Sequence, residues 1–217
     1  MGAYSKIPLA RILKGRLLRI AELQDLLVME LARRLDFVLH GGTAIWRVYG
    51  GKRFSIDVDV YCWEPEWVEG VLRSLPGVRV VRSKLTSSRV LYLRVADESG
   101  AEVELEASPP FREIEVTEAD YWMTDGGSLV VRALTACDLL REKIKAFRDR
   151  RKARDLYDVY YLLDLCEDRA IGTELRSLLP ELGAPPPDYE GLRELILLGR
   201  PPSFESVVRK VRRHAEA

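Results

Sequence analysis

The sequence predicts an α+β fold: an N-terminal half in which short strands alternate with helices, followed by an all-helical C-terminal half. Two observations carry this. Apolar side chains recur at helical spacing from about Leu17 to Leu35, and again from Thr135 through Leu165. Between those stretches, Phe54 to Tyr61 and Glu102 to Ala107 alternate polar and apolar residues with the period of two that marks a half-buried strand.

Element by element, Leu23, Leu27, Leu31 and Leu35 form the apolar stripe of the first helix. Phe37-Val38-Leu39 reads as a short strand, Gly41-Gly42 as a tight turn, and Thr43 to Tyr49 as a helix ended by Gly50-Gly51. In Phe54 to Tyr61, the residues Ile56, Val58 and Val60 face one side and Ser55, Asp57 and Asp59 the other. Glu64 to Leu75 reads as a helix, and Arg79 to Ser83, Val90 to Ala96 and Glu102 to Ala107 as strands. The pattern changes character after Pro109-Pro110. The expected division is an α/β domain over residues 1–125 and a helical domain over residues 126–217, the latter broken at Gly183 to Pro187 and Gly199 to Pro202.

Composition bounds the function. With 47% hydrophobic and 31% charged residues the chain belongs with water-soluble folds, and no apolar run approaches the roughly 20 residues of a membrane helix. The start, Met-Gly-Ala-Tyr-Ser-Lys, lacks the apolar stretch of a signal peptide, so the expected location is cytoplasmic. The 34 basic and 34 acidic residues cancel, which withholds support from a strongly cationic nucleic-acid binder. Cys62, Cys137 and Cys166 are odd in number and widely spaced, suiting neither a disulfide framework nor a zinc motif. His40 and His214 lie far apart, so a bound metal is expected on carboxylate oxygens. There is no asparagine and Gln24 is the only glutamine, a depletion of thermolabile amides like that of hyperthermophile proteins.

The chemistry concentrates in Gly41-Gly42-Thr43 followed by Arg53-Phe54-Ser55-Ile56-Asp57-Val58-Asp59. Two carboxylates on one face of one strand repel each other unless a cation neutralises them. Mg²⁺ favours such oxygen ligands and shares them with substrate phosphates. The glycine pair stands where a strand meets a helix, where backbone N–H groups can meet a phosphate.

The run Leu39-His40-Gly41-Gly42-Thr43-Ala44-Ile45, with Arg53-x-Ser55-x-Asp57-x-Asp59 after it, closely resembles the AbiEii/AbiGii family of nucleotidyltransferase-like toxins, minimal nucleotidyltransferases of the DNA polymerase β type. Glu142-Lys143-Ile144-x-Ala146 and Arg154-Asp155-Leu156-Tyr157-Asp158 are similar to that family's second pair of motifs. The resemblance runs from about Leu35 to Leu163. It implies a mixed sheet flanked by helices, and transfer of a nucleotide from a nucleoside triphosphate to an acceptor. The implied acceptor is tRNA, in a toxin–antitoxin setting with a cognate antitoxin; the alternatives are transfer to a protein or small-molecule hydroxyl, or a non-catalytic interaction protein with the same fold. Asp57, Asp59 and a third acid would bind Mg²⁺. Glu106 fits that third position better than Glu104, because Glu106-Ala107-Ser108 matches the family's acid followed by an apolar residue and Ser or Asn. The resemblance further makes Lys143 a phosphate contact, and Gly41, Gly42, Thr43, Arg53, Ser55, Asp155 and Asp158 candidate nucleotide-site residues. The basic run from Arg148 to Arg154 is either an RNA or triphosphate contact or a solvated face.

Overall fold

The computed structural model describes residues 8–216. The polar N-terminal start weighed above therefore lies outside the described residues. The chain divides into two units: one is the chain up to Gly50 together with Ser55–Leu134, the other Gly51–Phe54 together with the chain from Thr135 onward.

The first unit runs α1 (Leu9–Ile12), α2 (Gly15–Arg34), β1 (Phe37–His40), α3 (Gly41–Arg47), β2 (Val58–Cys62), α4 (Glu66–Arg73), β3 (Val78–Leu85), β4 (Leu91–Asp97), β5 (Glu102–Ser108), β6 (Val116–Trp122) and β7 (Ser128–Leu134). The strands form one sheet in the order β3-β4-β5-β2-β1-β7-β6. It is mixed: β2 with β5 and β1 with β7 are parallel, and the other pairs antiparallel.

The alternation read from the sequence decides which face is the core. Val58 and Val60, Leu91, Leu93 and Val95, and Val103, Leu105 and Ala107 all point to one face and are buried. Helix α4 lies on that face, since Ser83, paired across from Leu93, donates its hydroxyl hydrogen to Glu69 of α4 at 2.5 Å. Helix α2 turns Leu23, Leu27 and Leu31 inward, each at most 2% exposed. A Leu buried to that degree contributes about 1.5–3 kcal/mol. The opposite face of the sheet carries Asp59, Glu104, Glu106, Tyr92 and Arg94.

The second unit contains α5 (Ala136–Arg150), α6 (Ala153–Leu162), α7 (Gly172–Leu178), α8 (Leu192–Leu195) and α9 (Phe204–Ala215). Thr135 caps α5 by accepting the Asp138 N–H. Arg151, in the left-handed region at φ 50°, ends α5, and α6 starts two residues on, so the two helices form a hairpin. Against this unit the segment 51–54 pairs as a short extended piece. The Phe54 N–H donates to Leu195 O at 2.9 Å, and the Leu197 N–H to Lys52 O at 2.8 Å.

Beyond Gly41-Gly42, which open α3 instead of forming a turn before it, three features depart from the sequence reading. Strand β2 begins at Val58 and not at Phe54, because Lys52–Phe54 pair with residues 195–197, so Asp57 stands one residue before the strand. The β6–β7 hairpin was not foreseen; it pairs from Val116↔Leu134 to Trp122↔Ser128, which keeps residues 128–134 with the sheet, past the expected 125/126 division. Its faces mix polar and apolar residues at the sheet edge, so the period-two signal is weak there. Third, Cys137 and Cys166 form a disulfide. A separation of 29 residues hides this in the sequence, but the hairpin returns the end of α6 to the start of α5 and brings the two Cα atoms to 4.8 Å. Cys62 is the free, buried cysteine. Among the described residues no helix is long and apolar enough to cross a membrane.

Candidate functional site

In the first unit the acids of the motif gather on the face of the sheet opposite α4. Parallel pairing sets Asp59 of β2 directly beside Glu106 of β5, and antiparallel pairing sets His40 of β1 on the other side of Asp59. The His40 ring stacks on Tyr61, with centroids 3.9 Å apart. Asp57, Asp59, Glu104 and Glu106 line one cavity of about 360 Å³.

The surroundings of the acids explain the glycine motif in part. Gly41 has φ +69°, and a Cβ there would overlap the Asp59 carboxylate. Its missing side chain therefore makes room for Asp59. Thr43 is fully buried, and its hydroxyl donates to the Asp57 carbonyl at 2.5 Å. It thus fixes the backbone that aims Asp57. Gly42 is buried inside α3.

A residue that the sequence reading passed over does similar work. Gln24, on α2 and fully buried, donates from Nε2 to the carbonyls of Ser55 at 2.9 Å and Ile56 at 2.8 Å. The backbone leading into Asp57 is therefore tied to α2 and, through Thr43, to α3. That the only glutamine of an amide-poor chain sits in the core stripe of α2 was the available signal.

Electrostatics separate the two candidate third acids. Burial, then the charge of Asp59 and more weakly that of Asp57, pushes the Glu106 carboxyl above the ordinary range, with His40 pulling the other way. Glu104 is exposed and forms an ion pair with Arg94 at 2.7 Å. Glu106 thus faces other acids while Glu104 is already neutralised. Among the described residues no three His, Cys, Asp or Glu side chains are gathered in ready metal-binding geometry. The donor chemistry of Asp57, Asp59 and Glu106 still suits a hard divalent cation: three carboxylates on one cavity wall, one of them held from ionising freely by burial and then by the others.

The second unit holds the remaining motif residues. The Arg53 guanidinium donates from Nε and Nη2 to the two Asp158 oxygens at 2.9 and 2.7 Å, and from Nη1 to Phe54 O at 3.0 Å. Lys143 lies 3.3 Å from Asp158 and 3.7 Å from Asp155. Asp155 in turn takes a two-point ion pair from Arg150, at 2.6 and 2.7 Å. Burial disfavours a charge on Asp158, but Arg53 and Lys143 outweigh it and hold the carboxyl below the usual range. Two of the basic-run cations are likewise engaged: Arg150 with Asp155, and Arg151 with Glu181. The structure accordingly brings Arg53, Lys143, Asp155 and Asp158 together in one unit, and Gly41, Thr43, Asp57, Asp59 and Glu106 in the other. Ser55 is buried in the latter.

The cavity also contains residues that the sequence reading did not select: Arg82, Lys84, Tyr92 and Arg94. The charge of Glu106, then burial, raises the Tyr92 hydroxyl, a sign of how near the two stand.

Comparison with known proteins gives a family and a fold. The family model described as nucleotidyl transferase AbiEii toxin, Type IV TA system, matches residues 25–188. The crystal structure of JHP933 from Helicobacter pylori is similar at a TM-score of 0.70 and 24% identity, over 94% of this chain and 92% of that one. A candidate nucleotidyltransferase from H. pylori is similar at a TM-score of 0.68 and 23% identity, over 94% and 95%. At that identity the likeness speaks for the fold. Compared with curated protein sequences, the chain finds no match.

Proposed function

The chain belongs to the AbiEii family of nucleotidyltransferase toxins, and from that premise we propose that it moves a nucleotide from a nucleoside triphosphate to tRNA, using Mg²⁺. The observation that carries the proposal is the pairing of Asp59 with Glu106 across adjacent parallel strands, with Asp57 on the same cavity wall. Three acids so placed serve a fold poorly and a cation well.

In this reading Asp57, Asp59 and Glu106 would hold Mg²⁺. Bound there, the ion would offset phosphate charge and stabilise the attacking and leaving oxygens. The chain's own groups do the rest. Gly41 leaves space for the Asp59 carboxylate, while Thr43 and Gln24 hold the backbone that presents Asp57. The acceptor hydroxyl oxygen bonds to the α-phosphorus, the bond to the bridging oxygen breaks, and pyrophosphate departs. The hydroxyl proton passes to Glu106, which stands beside Asp59 on the neighbouring strand and acts as the base. Lys143 supplies a point charge to the nucleotide phosphates, with Asp155 and Asp158 holding its ammonium group. Arg53 acts by positioning Asp158 rather than by meeting phosphate itself.

The family's type IV toxin–antitoxin setting implies an antitoxin counterpart. We place the protein in the cytoplasm, with its substrates. Disulfides are rare there except in hyperthermophiles, and the Cys137–Cys166 bond agrees with the amide-poor composition on a thermophilic source.

The test is incubation with labelled nucleoside triphosphates, Mg²⁺ and total tRNA. Label on RNA, lost with Asp59→Asn and on chelation, is the expected result. Label on protein or on a small molecule would replace the acceptor, and label nowhere would overturn the proposal.

A further inference from the structure

The face that carries the acids extends past them to the edge of the sheet. In register across four strands stand Asp59 of β2, Glu106 of β5, Tyr92 of β4 and Lys84 of β3. The neighbouring row holds Glu104, Arg94 and Arg82. Both rows open into the acid-lined cavity. The charge along them changes sign, from acids at the centre of the sheet to cations at its rim.

A break in the β3–β4 register produces this arrangement. Val80 pairs with Val95 on the core face, whereas Arg82 pairs with Arg94 on the acid face. Residues 80 and 82 of an unbroken strand would share a face. The irregularity between them turns Arg82, and Lys84 after it, toward the cavity; bulges commonly re-aim side chains beside a site. Arg94 spends its charge on Glu104. Arg82 and Lys84 are exposed and form no ion pair among the described residues. Tyr92, beside Glu106, leaves 45% of its surface open.

We propose that Arg82, Lys84 and Tyr92 form a docking strip for the end of a single-stranded nucleic acid, with its terminal hydroxyl at Glu106. This rests on the nucleotidyltransferase reading above, and gives that reading an acceptor subsite. A hydroxyl delivered to Glu106 has the rest of its molecule lying over the next residues in the row. Those are an open aromatic ring and two cations about 7 Å apart, the spacing of residues i and i+2 on a strand. A strand end presents bases that stack on aromatic rings and phosphates that pair with cations. A neutral small molecule or a protein side chain uses neither feature.

The experiment measures binding of a fluorescent single-stranded oligoribonucleotide to the whole chain by anisotropy, without nucleotide or metal, across a salt series. All three positions are exposed, so the variants should fold, and melting curves check that they do. For the double variant Arg82→Ala, Lys84→Ala we expect affinity to fall about tenfold or more, and the log–log salt slope to flatten by about 0.7 per lost phosphate contact. Tyr92→Ala should weaken binding and Tyr92→Phe retain it, because the ring does the stacking. In transfer assays the double variant should raise KM for the RNA and leave KM for the nucleoside triphosphate unchanged. An unchanged affinity and slope would overturn the proposal. So would a raised KM for the triphosphate alone, which would put the two cations on the donor. Strip-dependent binding of RNA by a wild-type chain that transfers nothing would uphold the strip as a binding site and overturn the transfer reading instead.

Discussion

Arg53 and Asp158, 105 residues apart in sequence, form a two-point ion pair at 2.9 and 2.7 Å inside the second unit. The pair joins an arginine of the first motif to an aspartate of the last. Each is at most 6% exposed in its side chain, and Lys143 adds a second cation to Asp158. Removing one partner of a buried pair leaves the other charge uncompensated, at a cost of about 3–5 kcal/mol. Arg53→Ala is therefore expected to destabilise the protein by about that amount in urea unfolding at pH 7. The sign with pH follows from Asp158. Its carboxyl is held low in the fold, so its contribution is fully present above the unfolded value of about 3.9 and is lost as pH falls through the lower folded value. The gap between wild type and variant should narrow on acidification below about pH 4. A gap independent of pH would mean that Arg53 acts through packing.

How far the site was legible in the sequence differs between its two halves. Asp57, Asp59 and Glu106 could be placed together, because strand alternation and motif order both survive folding. The pairing of Asp59 with Glu106 then supplied the register that alternation alone leaves open. Arg53 could not be placed. Its neighbours Ser55 and Asp57 belong to one unit, while Arg53 pairs with residues near Ile196 in the other, and no local pattern reports such an exchange. Arg82 and Lys84 were hidden by the β3 irregularity, since a strict period of two puts Arg82 on the same face as Val80. The disulfide was hidden because the turn that closes it depends on where α5 stops.

The Gln24 amide holds two carbonyls of the segment entering Asp57. Gln24→Met keeps the side-chain length and removes both hydrogen bonds. The expected cost is about 1–3 kcal/mol, the penalty for leaving buried acceptors unmet. Transfer activity should fall beyond the loss of folded protein, through kcat more than KM, because Asp57 is no longer held. Kinetics on the folded fraction, checked by circular dichroism, decide this. Normal kcat in a destabilised protein would make Gln24 a purely structural residue.

The Cys137–Cys166 bond ties the first turn of α5 to the segment after α6. Closing a loop of this length stabilises by about 2–4 kcal/mol, largely by restricting the unfolded chain. Cys137→Ser with Cys166→Ser should lower the melting temperature by several degrees, and reductant should then have no further effect. Thiol titration of the denatured, unreduced wild type should find a single reactive thiol, that of Cys62. Three reactive thiols would mean that the bond does not form in the isolated protein.

Glu106 and Glu104 allow the sharpest separation of a metal-site acid from a structural one. Burial and the neighbouring charges of Asp59 and Asp57 raise the Glu106 carboxyl in the fold. Its ionised form therefore destabilises the metal-free protein. The penalty is absent below the unfolded value of about 4.3, where both states hold the proton, grows as pH rises from there toward the raised folded value, and is constant above it. Glu106→Gln should accordingly melt with wild type near pH 4 and above it at pH 7.5. The same change should lower transfer by about 10²-fold or more, as the loss of a general base does. It should also remove most of the melting-temperature gain that Mg²⁺ plus nucleotide gives wild type by binding the folded state. Glu104→Gln breaks an exposed ion pair with Arg94, worth about 0–1 kcal/mol, and should leave transfer and the ligand-induced gain near wild type. Melting curves at both pH values, with and without Mg²⁺ and nucleotide, test all of this at once. If Glu106→Gln melts lower than wild type at pH 7.5 and keeps the full ligand-induced gain, Glu106 is a structural acid and the three-carboxylate site is wrong. If Glu104→Gln shows the losses instead, the third carboxylate lies two residues earlier on the same strand.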